Sequence, residues 1–319
     1  MPAESSPDPA APGAASIYCW ALIGPTACGK SATALELARR HPVEIVSVDS
    51  MQVYRGMDVG TAKPTPAQRA LVRHHMIDVL EPEESCNVGR FCRMARAAIE
   101  DALSRSRRPL LVGGTALYLK GLVWGLAEAP GRVPELRRRI LRELEEHGSA
   151  ALHERLSRLD PPAAERIHPN DVQRLVRALE VCEATGAGIS QGQVQFAGDP
   201  TLCTVMVGLR LPRADLYRRI NERVDAMMAQ GLLAEVEALQ GRLGPQASQA
   251  LGYKELTAHL EGRTSLPEAV ALIKRNTRRF AKHQLTWFRH MPQTRWIDVQ
   301  AGEGAEQVAR RCESLFGRA

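Results

Sequence analysis

The octet GPTACGKS, Gly24 to Ser31, lies between an apolar run, IYCWALI, and a segment with helical periodicity. No other stretch constrains the fold as tightly. In a G-x-x-x-x-G-K-S loop, successive backbone N–H groups and the N-terminus of the next helix point at phosphate oxygens. The lysine neutralises charge and the serine hydroxyl reaches a bound Mg²⁺. A strand before and a helix after are the context in which such an octet binds phosphate instead of merely turning the chain. Gly24, Pro25, Thr26, Ala27, Cys28, Gly29, Lys30 and Ser31 are therefore candidate phosphate ligands, with Ser31 at the metal.

The pattern around the octet extends the argument. IYCWALI (17–23), VEIVSV before Asp49 and Ser50, and PLLVGG before Thr115 read as short buried strands, each followed by loop or helix. Strands alternating with helices form a parallel sheet whose ligands bind beyond the carboxyl ends of the strands. The octet, Asp49 and Thr115 converge on that edge. Apolar mass comes from Leu, Val, Ile and Ala with only 4% aromatic residues, which suits helix-rich α/β packing better than a β-sandwich. After Pro130 the character changes. From Pro134 to Gly186 only helical patterns occur, carried by Leu136, Ile140, Leu141 and Leu144, then Leu152, Leu156 and Leu159, then Val172, Leu175, Val176 and Leu179. Asn170 with Gln173 reads as the cap of the last of these and Gly186 as its stop. A strand returns at TVMVGLRL, followed by a long helix from Ala214 to about Leu239 and another from Pro267 to about His290. The expected architecture is a P-loop α/β core with an all-helical insertion: a disordered tail (1–16), core (17–125), insertion (126–200) and core resumed (201–319).

Seven scattered cysteines without a C-x-x-C pair speak against a disulfide framework or a zinc site. The Pro- and Ala-rich start matches neither a signal nor a transit peptide. No apolar run approaches the roughly 20 residues of a membrane helix, so a cytoplasmic protein is expected. Net charge is +6, which alone locates nothing. The placement of basic residues is more informative. Arg275, Arg278, Arg279, Lys282 and Arg289 recur at helical spacing, with Ile273, Phe280, Gln284, Leu285 and Phe288 filling the other side. Gln173, Arg174 and Arg177 make a second polar cluster, and two such helices in different domains suggest a cleft for an extended anion. Either set also reads as a solvated face. Arg219 and Arg223, one turn apart, fit a phosphate clamp or exposed charges pairing with Glu222 and Asp215. His74 and His75 lack metal-ligand spacing and fit capping or core roles. A phosphoryl-transferring P-loop enzyme needs a carboxylate at a strand end, and PLLVGGT supplies none. Asp49 fits that role or a turn cap.

GPTACGKS, VDSMQVYRGMDVGTAKPT, HHMID, LLVGGTALYLKGL, RIHPNDVQRLVRALEV, RINERVDAM, ALGYKE and RRFAKHQLTWFRH follow one another in an order that resembles the tRNA dimethylallyltransferase family, also called tRNA isopentenyltransferase. The resemblance covers nearly the whole chain after the tail. It implies that the loop holds the diphosphate of dimethylallyl diphosphate, whose five-carbon group moves to N6 of the adenosine 3′ of the anticodon. It places Gly24 to Ser31 on the diphosphate, Thr26 near the reacting carbon, Arg223 as a further diphosphate ligand and Asp49 as general base on N6. Ser50, Met51, Gln52, Thr115, Gln173, Arg174, Leu175, Val176, Arg177, Lys282, Gln284 and Arg289 fall at positions that contact tRNA. It also implies Mg²⁺ and a monomer. Two departures stand out: Cys28 where most relatives have Ser or a small residue, a thiol whose place at a helix N-terminus favours acidity and oxidation, and His283 where Arg is expected. The competing readings are a small-molecule kinase, which the Gly-Gly-Thr strand end disfavours, and a non-catalytic RNA-binding protein, which leaves Lys30 and Asp49 idle.

Overall fold

A computed structural model describes residues 18–125, 133–192 and 200–317; the expected tail (1–16) lies outside them. The chain divides into two compact units, one running to Val123 and resuming at Thr201, the other Trp124–Pro200. In the first unit lie strands β1 (Tyr18–Ile23), β2 (Val43–Val48), β3 (His74–His75), β4 (Arg108–Gly113), β5 (Cys203–Arg210) and β6 (Arg295–Asp298). They form one parallel sheet in the order β3-β2-β4-β1-β5-β6. The inner strands are buried on both faces, which explains why they read as continuous apolar runs and not as alternation.

Register decides where the functional loops emerge. Ile23 of β1 pairs with Gly113 of β4, and Gly113 pairs with Val48 of β2. The P-loop, Asp49 and Gly114 therefore leave the sheet side by side. Around it pack α1 (Lys30–Arg40), α2 (Pro66–Leu71), α3 (Val88–Ser104) and α4 (Ala116–Trp124). Helix α3 buries Phe91, Ala95, Ile99 and Ala102 at helical spacing, and Asn87 caps it by accepting the Arg90 N–H.

The second unit is helical throughout its described part: α5 (Pro134–Leu159), α6 (Pro161–Arg166), α7 (Val172–Thr185) and α8 (Ile189–Gly192). Gly148, at φ 78°, interrupts α5. Ile140, Leu152, Leu156, Leu175, Val176 and Leu179 form its core. The expectation that Leu175 and Val176 contact nucleic acid is overturned here. Both are fully buried, because adjacent positions on a helix flank the centre of one apolar stripe, whereas Gln173 and Arg174 are exposed. The cap of α7 is Asp171, which accepts the Arg174 N–H, and not Asn170.

The first unit resumes with β5, then α9 (Arg213–Ala229), α10 (Leu232–Ala238), α11 (Tyr253–Leu260), α12 (Leu266–Arg289) and, after β6, α13 (Ala305–Phe316). The single helix expected from Ala214 to Leu239 is two helices. Gly231, at φ 95°, adopts a left-handed conformation that ends one and starts the other. Helix α12 begins with a capping box, Ser265 and Glu268, and buries Ile273, Ala281, Gln284 and Phe288. Phe280, expected on that packed side, is 43% exposed.

Close packing at the strand ends leaves no room for side chains. A Cβ on Gly113 would lie 2.0 Å from the Val48 carbonyl oxygen. Gly113→Ala is therefore expected to destabilise the protein by about 1–3 kcal/mol, the usual cost of overpacking. Urea denaturation should show a lower midpoint at an unchanged slope.

Candidate active site

A cavity of about 560 Å³ opens beyond the carboxyl ends of the strands, lined by the P-loop, Asp49, Gln52, Arg223, Phe280 and Gln284. The P-loop reaches it by unusual backbone: Gly24, Ala27 and Gly29 all have positive φ. Glycine accepts this freely, while Ala27 is held there against its preference. Lys30 Nζ folds across the loop and donates to the carbonyls of Gly24 (2.9 Å) and Pro25 (2.7 Å). Burial pushes its pKa down, since desolvation disfavours the ammonium. Ser31 is exposed at the start of α1. Cys28 is 1% exposed, its sulfur turned inward against Gly24 and 3.9 Å from Lys30 Nζ. The expectation of a readily oxidised thiol fails for that reason, because an attacking oxidant needs access.

Thr26 is gripped from two helices. Its N–H donates to Gln284 Oε1 at 2.8 Å, and its hydroxyl accepts from Arg223 Nη1 at 3.4 Å. Of the two readings open for the arginines of α9, Arg223 takes the place beside the P-loop, its pKa lowered by burial. Arg218 makes the surface pairs with Asp215 and Glu222. Gln284 is 6% exposed and also donates from Nε2 to the Gly114 carbonyl at 2.9 Å. Its amide joins the loop after β1 to the loop after β4.

Of the two readings open for Asp49, the turn cap is realised. Oδ1 accepts the N–H groups of Met51 (2.8 Å) and Gln52 (3.3 Å), closing a turn. Among the described residues its other oxygen takes no hydrogen bond, and Asp49 lines the cavity. Thr115 accepts the Ser50 N–H through Oγ1 at 3.1 Å, tying the end of β2 to that of β4. Gln52 is committed to the loop itself: Oε1 accepts from Ser47 and Nε2 donates to the Thr61 carbonyl.

Four residues that sequence reasoning missed, Glu235, Tyr253, Lys63 and Asp78, hold the 50–64 loop in place. The Glu235 carboxylate accepts the N–H groups of Asp58 (2.8 Å), Val59 (2.7 Å) and Gly60 (3.0 Å) and the hydroxyl of Tyr253. Buried Lys63 donates to the Tyr54 carbonyl and to Asp58 and Asp78. Burial opposes ionisation of Asp78, yet the hydrogen bonds from Lys63 and Arg69 prevail and hold its carboxyl below the usual range. Lys63, Asp78 and Tyr253 lie in the TAKP, HHMID and ALGYKE segments, and an unpaired lysine amid small residues was the available signal.

Arg275, Arg279, Lys282 and Arg289 are exposed on α12, and among the described residues no carboxylate pairs with them. Arg278 is not part of that free set, since it donates to Asn221 Oδ1 at 2.6 Å. Lys282 and Arg289 do not line the cavity, nor does Thr115. Gln173, Arg174 and Arg177 belong to the other unit. His75 pairs with Glu44, and His74 bonds the Val72 carbonyl. Among the described residues no three His, Cys, Asp or Glu side chains cluster to hold a metal.

A family model described as IPP transferase matches residues 52–291, and one described as isopentenyl transferase matches residues 17–79. The chain belongs to the IPP transferase family. A tRNA dimethylallyltransferase of Symbiobacterium thermophilum is 49% identical over 298 residues, 92% of this chain and 93% of that protein. One of Geobacter sulfurreducens is 48% identical over 285 residues, 88% and 91%. The tRNA isopentenylpyrophosphate transferase structure of Bacillus halodurans is 39% identical, covers 95% of this chain and 97% of its own, and superposes with a TM-score of 0.67. A eukaryotic dimethylallyltransferase acting on tRNA, 27% identical, covers 95% and 77% with a TM-score of 0.77. The P-loop α/β architecture of this IPP transferase is thus the family's own.

The Gln284 bridge makes a measurable claim within this fold. Gln284→Leu keeps the volume but leaves the Thr26 N–H and the Gly114 carbonyl without their partner, at about 1–3 kcal/mol for each group that stays buried. Hydrogen exchange should show a protected Thr26 amide in the parent protein and a rapidly exchanging one in the variant.

Proposed function

We propose that this IPP transferase moves the dimethylallyl group of dimethylallyl diphosphate to N6 of the adenosine 3′-adjacent to the anticodon of a tRNA. One observation carries the reading: a single cavity places a phosphate cradle with two desolvated cations, Lys30 and Arg223, beside a carboxylate with one oxygen uncommitted. The relatives named as tRNA dimethylallyltransferases support it.

In this reading the N–H groups of Gly24 to Ser31, Lys30 and Arg223 bind the diphosphate, and Thr26, fixed by Gln284, sits at the prenyl end. The N6 lone pair forms a bond to C1 of the dimethylallyl group as the C1–O bond breaks, and that electron pair leaves on the diphosphate. Negative charge grows where the loop and its cations already stand, which is stabilisation of the transition state and not merely of the substrate. Adenine N6 is a poor nucleophile because its lone pair is delocalised into the ring. Asp49 accepts a hydrogen bond from N6 and takes its proton as positive charge develops there. Ser31 fits a Mg²⁺ that arrives with diphosphate, since Mg²⁺ commonly keeps several waters and takes one or two protein oxygens plus substrate phosphates. Such an ion would neutralise charge on the leaving group.

Lys282 and Arg289 on α12, Gln173, Arg174 and Arg177 on α7, and Ser50, Met51 and Thr115 at the strand ends are the proposed tRNA contacts. The protein acts as a cytoplasmic monomer. No helix among the described residues is long and apolar enough to cross a membrane.

Purified protein with Mg²⁺, dimethylallyl diphosphate and an anticodon stem-loop should yield RNA heavier by one dimethylallyl group, without nucleoside triphosphate. An absolute requirement for ATP, or release of phosphate in place of diphosphate, would overturn the reading. Asp49→Asn keeps shape and the turn but cannot accept the proton. Single-turnover rates should fall by about 10²–10⁴-fold while stem-loop and dimethylallyl diphosphate affinities stay near normal. Collapse of diphosphate affinity at near-normal turnover would instead make Asp49 a metal-site residue.

A further inference from the structure

Phe280 is out of place for an ordinary core aromatic. It stands on the inner side of α12 one turn before Gln284, and it lines the active-site cavity, yet it is 43% exposed while Gln284 is 6% exposed. Going along the helix from Gln284 to Phe280 thus passes from the cavity interior to its mouth. On the same turn, Arg279, Lys282 and His283 face solvent, and among the described residues no carboxylate pairs with them. A flat apolar ring at the mouth, flanked by uncompensated cations, is a surface matched to a base whose backbone phosphates lie outside.

From this juxtaposition we infer that Phe280 is the stacking platform for the acceptor adenine, a positioning residue that takes over the base's lost neighbours as it enters the cavity. The inference rests on the proposed function, in which adenine is the acceptor. A base drawn out of its loop gives up stacking on both faces, and enzymes that act on such bases restore it with aromatic or apolar side chains. The alternative, that Phe280 walls off the prenyl group, fits its position less well. A five-carbon chain hidden from water needs an enclosed contact, and Phe280 is 43% exposed. Arg279 and Lys282, beside the ring, would hold phosphates on either side of the extruded nucleotide. Held flat, the adenine presents N6 inward, toward Asp49 and the diphosphate.

The test is a cycle of protein and RNA changes read by equilibrium binding. Phe280→Ala, Phe280→Leu and Phe280→Trp are each titrated with two anticodon stem-loops, one bearing adenine and one an abasic site at the acceptor position, and with a thio analogue of dimethylallyl diphosphate. Phe280→Ala should weaken the adenine stem-loop by about fivefold to a hundredfold, the range of base–aromatic stacking. It should leave the abasic stem-loop and the thio analogue unchanged. Phe280→Trp should retain affinity and Phe280→Leu should lose part of it, at unchanged melting temperature for this half-exposed position. Equal losses on both stem-loops would make Phe280 a general surface contact, a loss confined to the thio analogue would make it the prenyl wall, and either result overturns the stacking role. So would no loss at all. If the parent protein itself does not distinguish adenine from an abasic site, the reading of adenine as acceptor falls with it. If only the Phe280 variants behave like the parent, that reading stands and the platform lies elsewhere.

Discussion

Where a parallel strand ends, the chain turns away with backbone groups that no neighbouring strand can pair. At the centre of this sheet two of them, the Thr26 N–H and the Gly114 carbonyl, are satisfied by one buried side chain, Gln284. A carboxamide offers an acceptor and a donor at this separation without any charge, and here it is brought in from a helix near the other end of the chain. The bond does more than balance polar groups. It fixes α12 against the P-loop, so the exposed cations of that helix and the aromatic ring of Phe280 are held in register with that loop.

The same problem recurs on the opposite wall. Residues 50–64 lack regular structure over a length whose ordering costs appreciable backbone entropy. Three consecutive N–H groups end on the Glu235 carboxylate, and the Lys63 ammonium gathers the Tyr54 carbonyl and the Asp58 carboxylate of the loop together with the carboxylate of Asp78 beyond it. A Cβ on Gly60 would come within 2.5 Å of the Tyr253 ring, so the turn can close only with glycine there. With these contacts Asp49 sits between a strand and a fixed loop, and its free oxygen has a defined position before any substrate arrives.

How much of this was legible in the sequence depends on the range of the interaction concerned. Signals confined to a few residues survived: the strand before Gly24, the helix after Lys30, the strand end at Asp49 and the apolar stripe of α7. Arg223 and Arg219 could not be told apart by spacing, because only the placement of α9 against Thr26 separates them. The two-residue β3 and the four-residue β6 carry too little pattern to be read alone and exist through pairing with β2 and β5. Leu175 and Val176 were drawn into the RNA-contacting face by their neighbours in the motif, although their apolar character already pointed to the core. Glu235 was missed because a polar residue on a helix reads as solvent-exposed until its distant backbone partners are known, and Gln284, though legible as part of the packed side of α12, gave no sign of the two backbone groups it joins.

Electrostatics tie these constraints to chemistry. Lys30 and Arg223 both stand where burial disfavours their charge, and Lys30 makes up part of its lost hydration with the Gly24 and Pro25 carbonyls. Neither carbonyl carries a full negative charge, so the compensation is incomplete and a dianionic group is the better partner. Under the proposed function a bound diphosphate would offset the desolvation cost of both cations at once, and the more so as the C1–O bond lengthens and charge moves onto the leaving group. Water outside would have to reorient to follow that charge, whereas the loop amides and the two cations are already aligned by the sheet edge, Gln284 and α9. The folding constraints at the strand ends and the demand of the reaction for fixed positive charge therefore fall on the same few residues.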